Sequence, residues 1–176
     1  EHNLGPCLDQ IVNQPGVMEI LVYDDHSSDR TPLILSDYSS RYPLIRTIKA
    51  SNLEDGWCGK TFACEKLAKE AKGDWLLFLD ADVRLSNNAV GVVLLEATRR
   101  GLSFLSCWPR LQASSLGERI LMPMLNFAVF GIFPVPLMLL EGEKFRRQSS
   151  LGLAHGACMF FKASEYREFG GHERVK

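Results

Sequence analysis

Residues 74–82, DWLLFLDAD, form an unbroken apolar run that ends in two carboxylates one residue apart. A strand of that composition has no side suited to water, and such strands occur where helices cover both faces of a sheet. The neighbouring segments supply the helices. Leu4, Leu8, Ile11 and Val12 make one helical stripe within residues 3–14, which stops before Pro15. EILVYDD (19–25) reads as a strand, and Thr31-Pro32 as the N-cap and first position of a helix carrying Leu33, Ile34, Tyr38 and Tyr42. LIRTIKAS (44–51) is the next strand. A helix with Ala63, Leu67, Ala68 and Ala71 on one side follows, with Gly73 as its C-terminal stop. Ser86 is placed to cap a further helix running to Gly101, and LSFLSCWP (102–109) reads as a strand. Helix and strand alternate throughout, which calls for an open, mainly parallel α/β sheet flanked by helices. Ligands of such sheets sit outside the carboxyl ends of the strands. Asp24 and Asp25 end one strand, Asp80 and Asp82 another, so the order predicts that these acidic pairs share one crevice.

Composition narrows the classes. With 176 residues, 46% of them apolar, the chain reads as one globular domain over 1–176. Lys and Arg (20) nearly balance Asp and Glu (21), so bulk charge attracts no polyanion and no nucleic-acid partner is expected. Five cysteines, odd in number and without a CxxC pair, suggest neither a disulfide framework nor a zinc site, and point to a reducing, cytosolic setting. The opening EHNLGPCLDQ has no signal-peptide pattern and no initiating Met, so the chain is expected to be a fragment.

Two acidic constellations carry the chemistry. In DDHSSDRT (24–31), Asp29 and Thr31 can simply cap a helix while Asp24 ties down the loop. Alternatively one carboxylate accepts a hydrogen bond from a ring N–H such as uracil offers. In Leu79-Asp80-Ala81-Asp82, carboxylates at i and i+2 of an extended segment point to one side and can hold a hard divalent cation that also binds phosphate oxygens. Mg²⁺ or Mn²⁺ suits that donor set.

These residues, together with Gly59-Lys60 opening an alanine-bearing helix, resemble the family 2 glycosyltransferases, inverting enzymes with the nucleotide-diphospho-sugar transferase (GT-A) fold. GWCGKTFAC, WPRLQ, ERILMPMLNF and LAHGACMFFKASEYREFGGHE are similar to the subgroup acting on carotenoid and hopanoid lipids. The resemblance implies that Asp25 contacts the base of a UDP-sugar with Asp24 supporting the turn, that Asp80 faces the ribose, and that Asp82, with Asp80, binds the metal bridging the diphosphate. Lys60 would add a cation and helix N–H groups to the phosphates, its plainer reading being a solvated lysine. His155 and Gly156 fall where the family lines the donor-sugar and acceptor pocket, though this subgroup more often has Asn in place of His155. In the GGHE segment, a structural turn suits His172 as well as a ligand contact, and Glu173 reads as an exposed loop residue. The resemblance also implies a strand ahead of Glu1 and a carboxylate base beyond Lys176.

Residues 120–140, ILMPMLNFAVFGIFPVPLMLL, carry no charge. Pro123, Pro134 and Pro136 disfavour a straight spanning helix, and flanking Arg119, Lys144, Arg146 and Arg147 favour an interfacial or re-entrant segment over a membrane span or a buried core piece. The expected activity is metal-dependent, inverting transfer of a hexose, with UDP-glucose as the nucleotide-sugar donor, to a lipid acceptor such as a carotenoid, at the cytoplasmic side of a membrane surface. Two alternatives stand beside it. One is a non-catalytic sugar-nucleotide or lipid-binding module; the other is a haloacid-dehalogenase-like phosphotransferase, whose motif wants Thr where Arg84 stands.

Overall fold

The computed structural model describes residues 1–110, 112–113, 115–132 and 154–176. The chain divides into two compact units, Glu1–Cys107 with Ala157–Lys176, and Trp108–Gly156.

The first unit opens with α1 (Leu4–Ile11), β1 (Ile20–Asp24), α2 (Thr31–Arg41) and β2 (Ile45–Lys49). β1 and β2 pair in parallel, Ile20 opposite Ile45 and Asp24 opposite Lys49. Leu4 and Leu8 of α1, Leu35 and Tyr38 of α2, and Ile20 and Ile45 of the strands form one buried cluster. The start of α2 lies one residue earlier than the sequence suggests. Arg30 is the N-cap, Pro32 follows Thr31 in the first turn, and the Asp29 carboxylate caps from outside by accepting the Thr31 N–H at 2.9 Å.

α3 (Gly59–Glu70), β3 (Trp75–Leu79), α4 (Ala89–Arg99) and β4 (Phe104–Ser106) follow, and β5 (Cys158–Lys162), α6 (Ala163–Phe169) and a 3₁₀ turn at Gly171–Val175 complete the unit. The α/β class expected from the sequence is the one observed. Its second ladder holds one strand not anticipated: β5 lies between β3 and β4 and runs antiparallel to both, with Leu79 opposite Cys158 and Ser106 opposite Met159. Alternation along β3 sends Leu76 and Phe78 into a cluster with Ala68, Ala163 and Tyr166. Its other face is half-buried, with Trp75 stacked on Phe160 at 4.8 Å between ring centres.

Two helix-end expectations are corrected. Gly73 is not a left-handed stop; α3 ends into an extended Ala71, and Glu19 Oε1 accepts the Lys72 and Gly73 N–H groups at 2.5 and 3.1 Å. Ser86 does not cap α4 with its side chain. Asn88 holds the N-cap at φ +59°, and the buried Gln14, in the turn that follows α1, accepts the Val90 N–H with its Oε1 and donates from its amide to the Ser86 carbonyl.

Gly170 at φ +90° ends α6, as the GGHE pattern suggests. The next residue must also be glycine. Gly171 sits at φ +55°, and a Cβ there would lie 2.8 Å from Glu65 Oε2 and from the Tyr166 ring. This closeness seats His172 in the core. Its backbone N–H donates to Glu65 Oε2 at 3.1 Å, its Nδ1 is 2.6 Å from the Tyr166 hydroxyl, and its ring packs edge-on against Phe78. His172 is therefore a buried structural residue.

In the second unit, α5 (Leu116–Ile132) carries the first part of the apolar block with Pro123 inside it, and residues 133–140 of that block lie outside the described residues. No helix among the described residues is long and apolar enough to cross a membrane.

Burial lowers the His172 pKa below its ordinary value of 6.5, with the Lys60 charge acting in the same direction and Glu65 opposing. The unfolded chain then binds a proton that the folded chain refuses, so this contribution to stability is complete above about pH 6.5 and is lost as pH falls below it. Thermal unfolding should show a smaller drop in Tm between pH 7.5 and 5 for His172→Asn than for the parent chain; equal drops would place the titrating group elsewhere.

Candidate active site

Three pieces of backbone converge at the carboxyl ends of β1 and β3. The first is the end of β1. Asp24 Oδ1 accepts the Ser27 N–H at 3.2 Å and so turns the chain, and His26 takes the left-handed region at φ +58°, rare for a residue with a side chain. Asp25 is left on the outside of this turn, with its side chain 66% exposed and, among the described residues, the neighbouring His26 ring at 3.4 Å. The plain reading of Asp24 and Asp29, as loop tie and cap, is thus what their hydrogen bonds show, and Asp25 is the carboxylate they leave available.

The second piece is the N-terminus of α3. Cys58, the N-cap, offers no side-chain bond to the helix, so the first N–H groups of α3 keep their donor capacity. Gly59 lies against Asp25, since a Cβ built on it would stand 3.8 Å from Asp25 Oδ2. One residue on, Lys60 Nζ sits 2.7 Å from Asp80 Oδ1 and 2.8 Å from Asp80 Oδ2. Consecutive residues of one helix end therefore lie beside both acidic strand ends, Gly59 near Asp25 and Lys60 in contact with Asp80. Trp57, packed edge-on against Phe62, and the bond from the Ser51 N–H to the Tyr23 hydroxyl fix the two ends of the connecting loop.

The third piece is the end of β3. The Asp80 N–H donates to the Ala157 carbonyl at 3.0 Å, extending the β3–β5 ladder by one bond beyond Leu79. The chain then turns, with the Val83 N–H donating to the Asp80 carbonyl at 3.0 Å. The extended geometry expected for Asp80-Ala81-Asp82 is therefore replaced by a tight turn. Asp80 faces α3 through Lys60, whereas Asp82 is exposed and, among the described residues, holds no hydrogen bond or ion pair. Arg84 braces this turn from behind, donating to the Ala81 and Val83 carbonyls at 3.2 and 3.1 Å and to Asn3 Oδ1 of the α1 N-cap at 2.9 Å. Sequence reasoning noted Arg84 only as a departure from another family's pattern, because a bond to main-chain carbonyls leaves no spacing signal.

Cys64, one turn along α3 from Lys60, has its thiol pushed up to about 11 by burial and is chemically quiet. Asp24, Asp25, Lys60, Asp80 and Asp82 all belong to the first unit. His155 and Gly156 belong to the second, where the His155 ring packs on Trp108 at 4.8 Å.

The donor set fits a hard cation of modest protein ligation. Asp80 and Asp82 offer carboxylate oxygens only, and no group of three or more His, Cys, Asp or Glu side chains among the described residues could form a full cage. Mg²⁺ and Mn²⁺ accept such sites, completing their shells with water and substrate phosphate.

The family described as Glycosyl transferase family 2 matches residues 1–169. The chain is 30% identical over 100 residues to a 4,4'-diaponeurosporenoate glycosyltransferase of Staphylococcus haemolyticus, a match spanning 57% of this chain and 26% of that protein. It is 29% identical over 73 residues to a beta-monoglucosyldiacylglycerol synthase of Trichormus variabilis, spanning 42% of this chain and 15% of the relative. These matches take in about a quarter or less of the relatives' length. Among solved structures, the mannosyltransferase PcManGT of Pyrobaculum calidifontis, in complex with GDP-Man and Mn²⁺, superposes with a TM-score of 0.63 at 19% identity, covering 97% of this chain and 43% of that one.

The Lys60–Asp80 pair is 54% and 34% exposed, and ion pairs this open to water contribute at most about 1 kcal/mol to folding. Lys60→Met should therefore unfold within about 1 kcal/mol of the parent in urea; a larger loss would mean that the pair holds the fold rather than a ligand.

Proposed function

We propose, given that this chain belongs to glycosyl transferase family 2, that it is the nucleotide-sugar-binding part of an inverting, metal-dependent transferase that moves a hexose from UDP-glucose to a membrane lipid such as a carotenoid. The observation that carries this reading is the seating of the α3 N-terminus between two carboxylate-bearing strand ends, Gly59 against Asp25 and Lys60 on Asp80. In this reading a nucleoside diphosphate lies across the helix end with its base toward Asp25 and its phosphates toward Lys60 and Asp80.

Asp25, exposed and without a helix-capping duty, accepts the N–H of the uracil ring, and Asp24 holds the turn that presents it. The α3 N–H groups and Lys60 meet the diphosphate, where a helix N-terminus and a flexible cation stabilise negative charge. Lys60 leaves Asp80 to do so, which the weak, open ion pair permits. Asp80, released from Lys60, would face the ribose; Asp80 and Asp82 are the residues that would hold Mg²⁺ or Mn²⁺, and such an ion would offset negative charge on the diphosphate. Arg84 keeps the turn in shape while that exchange occurs.

Three further points support parts of this reading. The fold neighbour was solved with GDP-Man and Mn²⁺. The two curated relatives are named for lipid-like acceptors. α5 also exposes Leu116, Ile120, Met124 and Phe127 at spacings of four, four and three, one helical stripe whose Phe127 is 82% exposed. With Arg119 beside it, that stripe suits the cytoplasmic surface of an anionic bilayer. The phosphotransferase alternative has no support from the family match.

In the full-length enzyme, calorimetric titration with UDP should show binding that strengthens with Mg²⁺ or Mn²⁺, and Asp82→Ala should remove that metal-dependent gain, at least about tenfold in Kd. Unchanged, metal-dependent binding by the variant sinks the assignment of Asp82. On vesicles of anionic lipid, the paired change Ile120→Glu and Phe127→Glu should cut co-sedimentation about tenfold or more, and undiminished binding would remove α5 from the membrane contact.

A further inference from the structure

Cys107 and Cys158 are far apart in sequence but directly opposite in the fold. The β4–β5 register places Ser106 opposite Met159, and one step further the Cys107 N–H donates to the Cys158 carbonyl at 3.0 Å. Opposed residues of an antiparallel pair project from the same face of the sheet, and a hydrogen-bonded pair has its Cα atoms about 5.5 Å apart. That separation falls within the range disulfides accept, roughly 4.4–6.8 Å. Their Cβ atoms, at about 4.5–5.5 Å in such pairs, must close by roughly 0.7–1.7 Å to reach the disulfide mean. A bond that can form only under such tension is readily reduced, the property of a reversible link rather than a permanent one. Cys158 is buried, Cys107 is half-buried at the end of the ladder, and no disulfide joins them.

We infer that Cys107 and Cys158 are a modification site, a cross-strand dithiol that exchanges with low-molecular-weight disulfides of the glutathione class and, once oxidised, strains the strand end that carries Asp80. The link to Asp80 is short. Leu79 is the other cross-strand neighbour of Cys158, and Ala157, next to Cys158, accepts the Asp80 N–H.

Interaction between the two thiols favours charge on Cys107, bringing it down to about 7, while that interaction and then burial push Cys158 up. Cys107 is thus the attacking sulfur. Its thiolate bonds to one sulfur of the small disulfide and releases one thiol. Cys158 then bonds to the Cys107 sulfur, expels the second thiol and gives its proton to solvent. Two protein thiols are oxidised to one disulfide while one small disulfide is reduced to two thiols. Cys7 and Cys64 do not compete, because burial raises both.

The test equilibrates the folded chain, as Cys58→Ser to remove its exposed thiol, in buffers of oxidised and reduced glutathione. Peptide mapping should find a Cys107–Cys158 link that dithiothreitol reverses, and Cys107→Ser should show none. Amide exchange at Asp80 should be several-fold faster in the linked form. A glutathione adduct that persists on Cys107, or no link at all under oxidising ratios, overturns the site. A link that forms with exchange at Asp80 unchanged overturns its coupling to the strand end. Neither readout depends on the nucleotide-binding reading, so the two stand or fall separately.

Discussion

Collecting carboxylates at the ends of two strands raises an electrostatic problem that the rest of this structure is arranged around. Asp24, Asp25, Asp80 and Asp82 carry like charges near one helix end, and water, to which Asp25 and Asp82 are open, only partly screens their repulsion unless something positive stands between them. α3 supplies that with its first two residues: backbone donors at Gly59 beside Asp25, and the Lys60 ammonium on both oxygens of Asp80. The same positive end that makes the acidic crevice tolerable is what a diphosphate requires. The interaction is weak by design of its exposure, and a ligand can therefore replace it.

Holding α3 in place falls to groups far from the crevice. Phe62, Glu65 and Ala68 are its buried residues, and Glu65 is anchored by the 3₁₀ turn after α6, where the His172 N–H meets its carboxylate. That turn reaches Glu65 only because Gly171 admits both Glu65 and the Tyr166 ring at distances no side chain would allow. At the other end, Glu19 closes the C-terminus of α3 from the strand side of the unit. β5 does the corresponding work for β3, since the Ala157 carbonyl fixes the Asp80 N–H and so sets where the turn begins.

Much of this was readable from residues alone, and the boundary is instructive. Leu4, Leu8 and Pro15 mark α1, and WLLFL marks β3, because short-range periodicity and breakers report local structure directly. The convergence of the two acidic pairs also followed, since it depends only on alternation and on where strands end. β5 was not seen. CMFFK has no turn signal to announce a hairpin, and its partners, Leu79 and Ser106, are many residues away, so its antiparallel insertion is a tertiary fact. The 80–83 turn was misread as extended because Val83 and Arg84 shape it through main-chain bonds that leave no pattern. The cysteines looked scattered for a similar reason: only the register of β4 on β5 makes Cys107 and Cys158 a pair.

The central claim is that one diphosphate-bearing ligand engages both strand ends and the helix end between them. Backbone amide shifts of the ¹⁵N-labelled chain, followed while UDP and Mg²⁺ are added, test it most directly. The account predicts that Asp25, Gly59, Lys60 and Asp82 move together along one saturation curve, with their neighbours in the β1 and β3 turns. Shifts confined to one strand end, or separate curves for the β1 and β3 ends, would contradict it.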